Sequence, residues 1–399
     1  MHQEHSLFPE HFYTELKKEL QSITDYWITY SVDEKRSGFV GQRDHENNLV
    51  PEANKGIILN TRILWSFSAI AKFSGDTKAL QLATRAFNYL YDFSRDKKYG
   101  GVYWELNAEG IPVNRKKQVY AQAFAIYGLS QYYLITQEET AKTWAISIFE
   151  LLEKHAFDRE NEGYIEAFQE DWSVVEDMRL SEKDQNAEKT MNTHLHVLEA
   201  YTLFYTIYPD AKVKKSLENL INLFLDRFLT KNGHFHLFFD KKWQLLSSTI
   251  SYGHDIEAAW LLIEAAKVTE NGELLQKTEK IALIVAKTFL KEGYIRGNGV
   301  LNELDQTSGR LDTDRHWWPQ TEAMVGLLYA YKINPDEIYK SAIIDIWDFT
   351  KTHIIDHKNG EWFFRIDENN QAYTSEDKLG MWKCPYHNSR ALISLLDRF

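Results

Sequence analysis

The sequence predicts an all-α fold, an (α/α)6 barrel with short β-hairpin-like connections, and three observations predict it. Glycine-marked stretches recur six times along the 399 residues. Two helical patterns lie between successive marks. The first of each pair is apolar almost all round, as a helix buried on most sides must be, while the second carries charge on one face.

The marks are RSGFVGQRDHENN, KYGGVYWELNAEG, NEGYIEAFQEDW, KNGHFHLFFDKKW, KEGYIRGNGV and KNGEWFFRIDENN. Their glycines, Gly38, Gly101, Gly163, Gly233, Gly293 and Gly360, are 63, 62, 70, 60 and 67 residues apart. Ahead of them, MHQEHSLFPEHFYTELKKELQ reads as an amphipathic helix. The first unit continues with the apolar NTRILWSFSAIAKF and the amphipathic DTKALQLATRAFNYLYDFSR, the second with VYAQAFAIYGLSQYYLI and EETAKTWAISIFELLEKHAF. Six inner helices ringed by six outer ones close on themselves and leave no exposed end. Residues 1–399 therefore read as a single domain, with an open solenoid as the alternative arrangement. The 7 prolines are dispersed and no linker-like tract interrupts the pattern.

Composition narrows the function. A formal net charge of −12 disfavours nucleic acid and anionic membrane as partners. The lone cysteine, Cys384, rules out an internal disulfide framework and fits a reducing compartment. No signal-peptide core and no long apolar run appear, so a cytoplasmic location without a membrane span is expected. Aromatic residues reach 14%, with 12 Trp and 22 Tyr. Most belong in a core, and some suit platforms for a ligand with apolar and hydroxylated faces, such as a sugar.

The inner-helix starts converge on one end of such a barrel. They carry NTR (Asn60, Arg62), VYAQ (Tyr120, Gln122), MNTHLH (Asn192, His194, His196), YGHDIE (His254, Glu257), HWWPQTE (His316, Trp317, Trp318, Glu322) and WKCPYHNSR (Trp382, His387, Asn388, Arg390). Five of the 14 histidines fall in these windows. His194 and His196 diverge by about 200° on a helix, so one of them faces the pocket, and no further zinc-ligand spacing accompanies them. His254 and Glu257 share a helix face, and an imidazole held by a carboxylate is expected there in preference to a metal site. Asp255 suits the positive end of the helix dipole. Cys384, three residues before His387, reads as packed rather than nucleophilic. Trp317 and Trp318 point apart, and one of them is a stacking platform. Histidines at several helix starts suit proton transfer near neutral pH. A glycosidase would instead need two flanking carboxylates, for which Asp184, Glu257 and Glu322 are available.

The segments NKGIILNTRILWSFS, KTMNTHLHVLEAY, SYGHDIEAAWLL, HWWPQTEAM and MWKCPYHNSRAL together resemble the N-acylglucosamine 2-epimerase superfamily and, within it, the cellobiose 2-epimerases, from about Gly38 to Phe399. The resemblance implies an (α/α)6 barrel. It also implies inversion at C2 of the reducing-end glucose of a β-1,4-linked disaccharide, through a cis-enediol intermediate and without metal, nucleotide or redox cofactor. By position, the implied acid/base pair is His254 and His387, with His196 assisting. Arg62 and Tyr120 fall near the developing enediolate, and Asp184 and Asn192 at sugar-contacting positions. Glu257 and Glu322 match carboxylates that orient histidines or bind hydroxyls, and Trp318 and Trp382 match aromatic platforms. The expected partner is the disaccharide alone, bound by a monomer or weak homodimer. The competing readings are an aldose–ketose isomerase of the same superfamily, an inverting glycoside hydrolase and a non-catalytic sugar-binding barrel.

Overall fold

The structure is a computed structural model that describes residues 7–397. The first six and last two residues of the expected 1–399 domain lie outside the described residues. Twelve α-helices carry the fold: α1 (Glu10–Tyr30), α2 (Ile57–Ser74), α3 (Thr77–Tyr89), α4 (Val119–Thr136), α5 (Glu139–Leu151), α6 (Met191–Ile207), α7 (Ala211–Leu223), α8 (Tyr252–Val268), α9 (Gly272–Glu292), α10 (Trp317–Ile333), α11 (Glu337–Phe349) and α12 (Tyr386–Asp397). The even-numbered helices form the inner ring. Each packs on the next, and α12 packs back on α2, so the ring closes and the open solenoid is excluded. The N-terminal helix α1 is the sixth outer helix, seated against α12 and α3.

Sequence explains which helix goes where. In α2 every residue from Ile57 to Ala71 is buried, as an all-round apolar helix requires. In α1 only one face is buried, carrying Phe12, Leu16, Leu20, Ile23 and Trp27. Each large apolar side chain so buried contributes about 1.5–3 kcal/mol. Five of the six outer helices start on acidic or amide caps: Asp76, Glu138, Asp210, Asn271 and Asp336 accept the N–H groups of Lys78, Thr140, Lys212, Leu274 and Ile338. Four of them end in a single wider turn, at residues 90–94, 152–156, 224–228 and 350–354.

After each outer helix the chain turns at a glycine. Asp33, Asp96, Asp158 and Asp356 nucleate the turn, each accepting the N–H groups two and three residues on. The residue after the glycine in the first, second, third and fifth turns, and the second residue after it in the others, bridges back to the helix end. By this equivalence the fifth mark is Gly299, not Gly293. Gly299 has φ +69, whereas Gly293 has φ −99 and closes α9. A Cβ on Gly299 would sit 2.7 Å from the Gln320 side chain, as one on Gly101 would sit 2.5 Å from that of Gln122.

The strand before each inner helix from α2 to α10 pairs with the hairpin of the following unit. Lys117–Gln118 pairs with Ala167–Phe168, Lys189–Thr190 with Phe238–Phe239, and Thr249–Ser251 with Glu303–Asp305. Buried lysines at the starts of three such strands meet the turn aspartates: Lys55–Asp33 at 2.8 Å, Lys117–Asp96 at 2.6 Å and Lys189–Asp158 at 3.0 Å. Removing one partner of such a pair costs about 3–5 kcal/mol, because the other charge is left buried. Among the described residues no helix is long and apolar enough to cross a membrane.

Candidate active site

Two positions of the inner helices divide the work. The fourth residue of α4, α6, α8 and α10 points outward and holds the preceding glycine loop. Gln122 accepts the Val102 N–H at 2.8 Å, His194 the Tyr164 N–H at 2.8 Å, Asp255 the Phe235 N–H at 2.8 Å, and Gln320 the Val300 N–H at 2.9 Å. The sixth residue of these helices and of α2 points inward: Arg62, Phe124, His196, Glu257 and Glu322. Arg390 of α12 joins them. All six are buried.

This division settles the HLH pair. His194 is a strut whose Nδ1 lies 2.6 Å from the Thr190 carbonyl, so Nδ1 carries the proton and Nε2 accepts. Burial of this neutral ring brings its pKa down to about 3. His196 is the member that faces the site. Asp255 is also a strut: besides the Phe235 N–H, it meets His234 Nδ1 at 2.7 Å. Its role is structural, through that buried pair rather than through the helix dipole alone.

Three imidazoles reach the centre, each held differently. His196 Nδ1 is 2.9 Å from Glu199, and His387 Nδ1 is 2.7 Å from Glu322. The expected His254–Glu257 pair is not made. His254 Nδ1 instead meets the Ser251 hydroxyl at 2.8 Å, and Glu257 is taken by Arg390 at 2.7 Å. The reason is charge: Arg390 attracts the nearby carboxylate more strongly than a neutral ring does. Trp318 packs against both His254 and His387, with ring centroids 4.7 and 5.6 Å away, while its neighbour Trp317 is buried against Phe364.

Arg390 ties the centre together. It donates to Glu257 and Glu322 at 2.7 Å each, and also to Glu199 and to the Tyr386 hydroxyl. One cation cannot balance three buried carboxylates. Burial raises all three, and Arg390 with His196 outweighs it at Glu199 alone, bringing that group down to about 2. Burial and the neighbouring Glu322 hold Glu257 well above the carboxylate range. Its Oε2 is buried with no hydrogen-bond partner among the described residues.

Arg62 donates to the Tyr120 hydroxyl at 2.6 Å and lies 3.9 Å from Cys384 Sγ. Burial opposes its charge, but Tyr120, Cys384 and Tyr386 more than offset that. Burial lowers His254 to about 3 and His387 well below its ordinary value, and it outweighs Glu199 at His196. At neutral pH all three rings are neutral bases.

A cavity of about 260 Å3 opens beside His254, lined by Asp184, Asn192, Phe238, Thr249 and Glu303 among others. Asp184 closes its own loop, accepting the Ser181 N–H at 2.9 Å and the Ser181 hydroxyl at 2.8 Å. Trp382 does not line this cavity; its ring packs at a steep angle against Tyr120 and Trp104, with centroids 6.0 Å away from each. Residues with chemistry that sequence reasoning passed over are Glu199, Ser251, Arg390 and Glu303. Glu199 was discoverable as the i+3 carboxylate of His196. Arg390 stood in a quoted motif without a role. Ser251 and Glu303 lie on paired strands, where helical spacing gives no signal.

Donor types for a cation do occur together: atoms of Glu257, Glu322 and His387 lie within 4.8 Å of one another. Arg390 Nη2 bonds both carboxylates of that group and supplies its positive charge.

Residues 38–391 match the family N-acylglucosamine 2-epimerase (GlcNAc 2-epimerase). The chain belongs to the N-acylglucosamine 2-epimerase family. Within this family it is 43% identical over 384 residues to the cellobiose 2-epimerase of Bacteroides fragilis, covering 96% of this chain and 98% of that one. It is 36% identical over 378 residues to the cellobiose 2-epimerase of Dictyoglomus turgidum, covering 94% and 95%. The solved cellobiose 2-epimerase of Bacillus thermoamylovorans B4167 superposes with a TM-score of 0.94 at 36% identity, over 98% of this chain and all of that one.

Proposed function

We propose that this protein is an isomerase that inverts C2 of the reducing-end glucose of β-1,4-linked disaccharides, giving mannose at that position. The observation that carries the reading is the placement of two neutral imidazoles, His254 and His387, against the same Trp318 ring. Inversion needs a base on each face of C2, because a single base tends to return the proton to the side it came from.

The residues divide the chemistry as follows. The opened sugar lies on Trp318, and one histidine takes the C2 proton, leaving a cis-enediolate. Arg62, with the Tyr120 hydroxyl, faces the developing oxyanion; such a donor is worth about 3–4 kcal/mol. After rotation about C2–C3, the other histidine, charged by a proton from solvent, gives that proton to the opposite face, and the first releases the C2 proton to solvent. Glu322 stabilises the imidazolium at His387, and His196, held by Glu199, assists at O1 or the ring oxygen. Glu257, held by Arg390 at Oε1, presents its unpartnered Oε2 to the sugar hydroxyls. No metal or redox group enters these steps.

The test is incubation of cellobiose or lactose in D2O followed by NMR. The expected product is the mannose-terminated disaccharide with deuterium at C2. Free monosaccharide would replace this reading with hydrolysis, and a dominant ketose with aldose–ketose isomerisation. His254→Ala and His387→Ala are each expected to lower kcat by at least about 100-fold with the fold retained. Near-normal turnover in either variant removes that histidine from the pair.

A further inference from the structure

Between the end of α3 and the first turns of α5, both outer helices, lies another cavity, of about 760 Å3, with Arg95, Lys97, Thr143 and Trp144 in its wall. The sixfold repeat supplies its own control for Arg95. Each glycine turn bridges back to one residue at the preceding helix end, and those residues are Val32, Arg95, Phe157, Leu229, Tyr294 and Ile355. The bridge itself is made by the backbone. In the other five units the side chain packs on the apolar core, and the one hydroxyl among them, on Tyr294, donates to Asp345 at 2.7 Å. The fold therefore needs no charge at this position, and the second unit alone places one there.

Arg95 is held in a fixed attitude but is bonded to nothing. Its guanidinium carbon lies 3.8 Å from the centroid of the Tyr91 ring, which meets Trp144 edge-on with centroids 5.5 Å apart. Stacking of this kind orients the planar fork without using its N–H donors. Arg95 has no hydrogen-bond or ion-pair partner for its side chain among the described residues, and its Nε is buried without one. The acids nearby are committed elsewhere. Asp96 takes Lys117 at 2.6 Å and the N–H groups of Lys98 and Tyr99, and Glu139 accepts from the Tyr133 hydroxyl at 3.0 Å. Among the described residues the side chains of Lys97 and Thr143, on the same wall, also lack a partner.

A half-buried cation with no acceptor is costly until one meets it. The acceptor that matches an oriented guanidinium is a phosphate or carboxylate, which it can hold through two parallel N–H groups. The Thr143 hydroxyl and the aromatic wall of Tyr91 and Trp144 suit the hydroxyls and apolar faces of a sugar. We propose that this cavity is a binding site for a small sugar-derived anion, whose phosphate or carboxylate group is taken by Arg95 and Lys97. Its walls share no residue with the cluster of histidines and carboxylates inside the ring, so the site is independent of the chemistry at C2.

The experiment is calorimetric titration of the full chain at low ionic strength with glucose 6-phosphate and with gluconate, using wild type, Arg95→Leu and Arg95→Lys. Arg95→Leu copies the residue at the equivalent position of the fourth unit and is expected to fold. Wild type is expected to bind at least one of the two anions at a single site, and Arg95→Leu to weaken that binding about tenfold or more. Arg95→Lys, which keeps the charge and loses the fork, weakens it by a smaller factor. Binding of glucose 6-phosphate alone assigns the site to phosphate, and of gluconate alone to carboxylate. Saturating cellobiose is expected to leave the titration unchanged. Should the leucine variant fail to fold, the lysine variant decides, with weakening required. No binding of either anion to wild type, equal affinity in the variants, or displacement by cellobiose overturns the assignment.

Discussion

His387 and Glu322 illustrate how a buried base is prepared. The ring sits where burial and two arginines disfavour its charged form, yet it must carry a proton midway through the reaction. A carboxylate at 2.7 Å resolves the conflict, since it stabilises the imidazolium and fixes Nδ1 as the donor, leaving Nε2 for substrate. Glu322→Gln keeps the shape and removes the charge. It is expected to lower kcat about 10- to 100-fold with little change in KM. A double-mutant cycle checks the route: combined with His387→Ala, the glutamine is expected to add almost nothing. Full additivity would place Glu322 on the substrate instead. His254, held by the Ser251 hydroxyl, lacks this support, so the two histidines are chemically unequal.

The outward residue of each inner helix is a strut, and Gln122, His194, Asp255 and Gln320 share that task. His194 alone among them is a neutral imidazole. Its folded pKa, about 3, lies below the unfolded value near 6.5, so the unfolded chain binds more protons in that window. Its contribution to stability is therefore full above pH 6.5 and is lost as pH falls toward 3. His194→Gln, which copies the strut of two other units, is expected to fold. Between pH 6 and 4 its unfolding free energy should fall less steeply than that of wild type, by up to about 1.4 kcal/mol per pH unit. Parallel slopes in urea titrations at several pH values would refute the strut assignment. Helix identity and burial were legible here because apolar periodicity reports them directly. The strut role was not, since a histidine turned toward a loop reads the same in sequence as one turned toward a ligand. The misplacement of the fifth mark at Gly293 has a similar origin. Spacing alone cannot distinguish a glycine that ends a helix from Gly299, which needs positive φ against Gln320.

Across the whole molecule, chain direction sorts structure from chemistry. All inner helices start at one end, so the hairpins and the titratable residues gather there, while short turns such as Gly75–Asp76 occupy the other. Closure of the ring was readable from repeat number and amphipathicity. The pairing inside the ring was not, because His–Glu and Arg–Glu partners come from helices up to 191 residues apart, as Glu199 and Arg390 are. This polarity bears on handling the protein as a catalyst on a surface. Cys384, the only cysteine, is fully buried, so a thiol introduced at exposed Lys78 beside the Gly75–Asp76 turn would be the one available for coupling to a solid support. Beads carrying Lys78→Cys are expected to retain the kcat/KM of the free enzyme within about twofold. Beads carrying Val174→Cys, on a hairpin 79% exposed at the other end, present a blocked mouth and lose most of it.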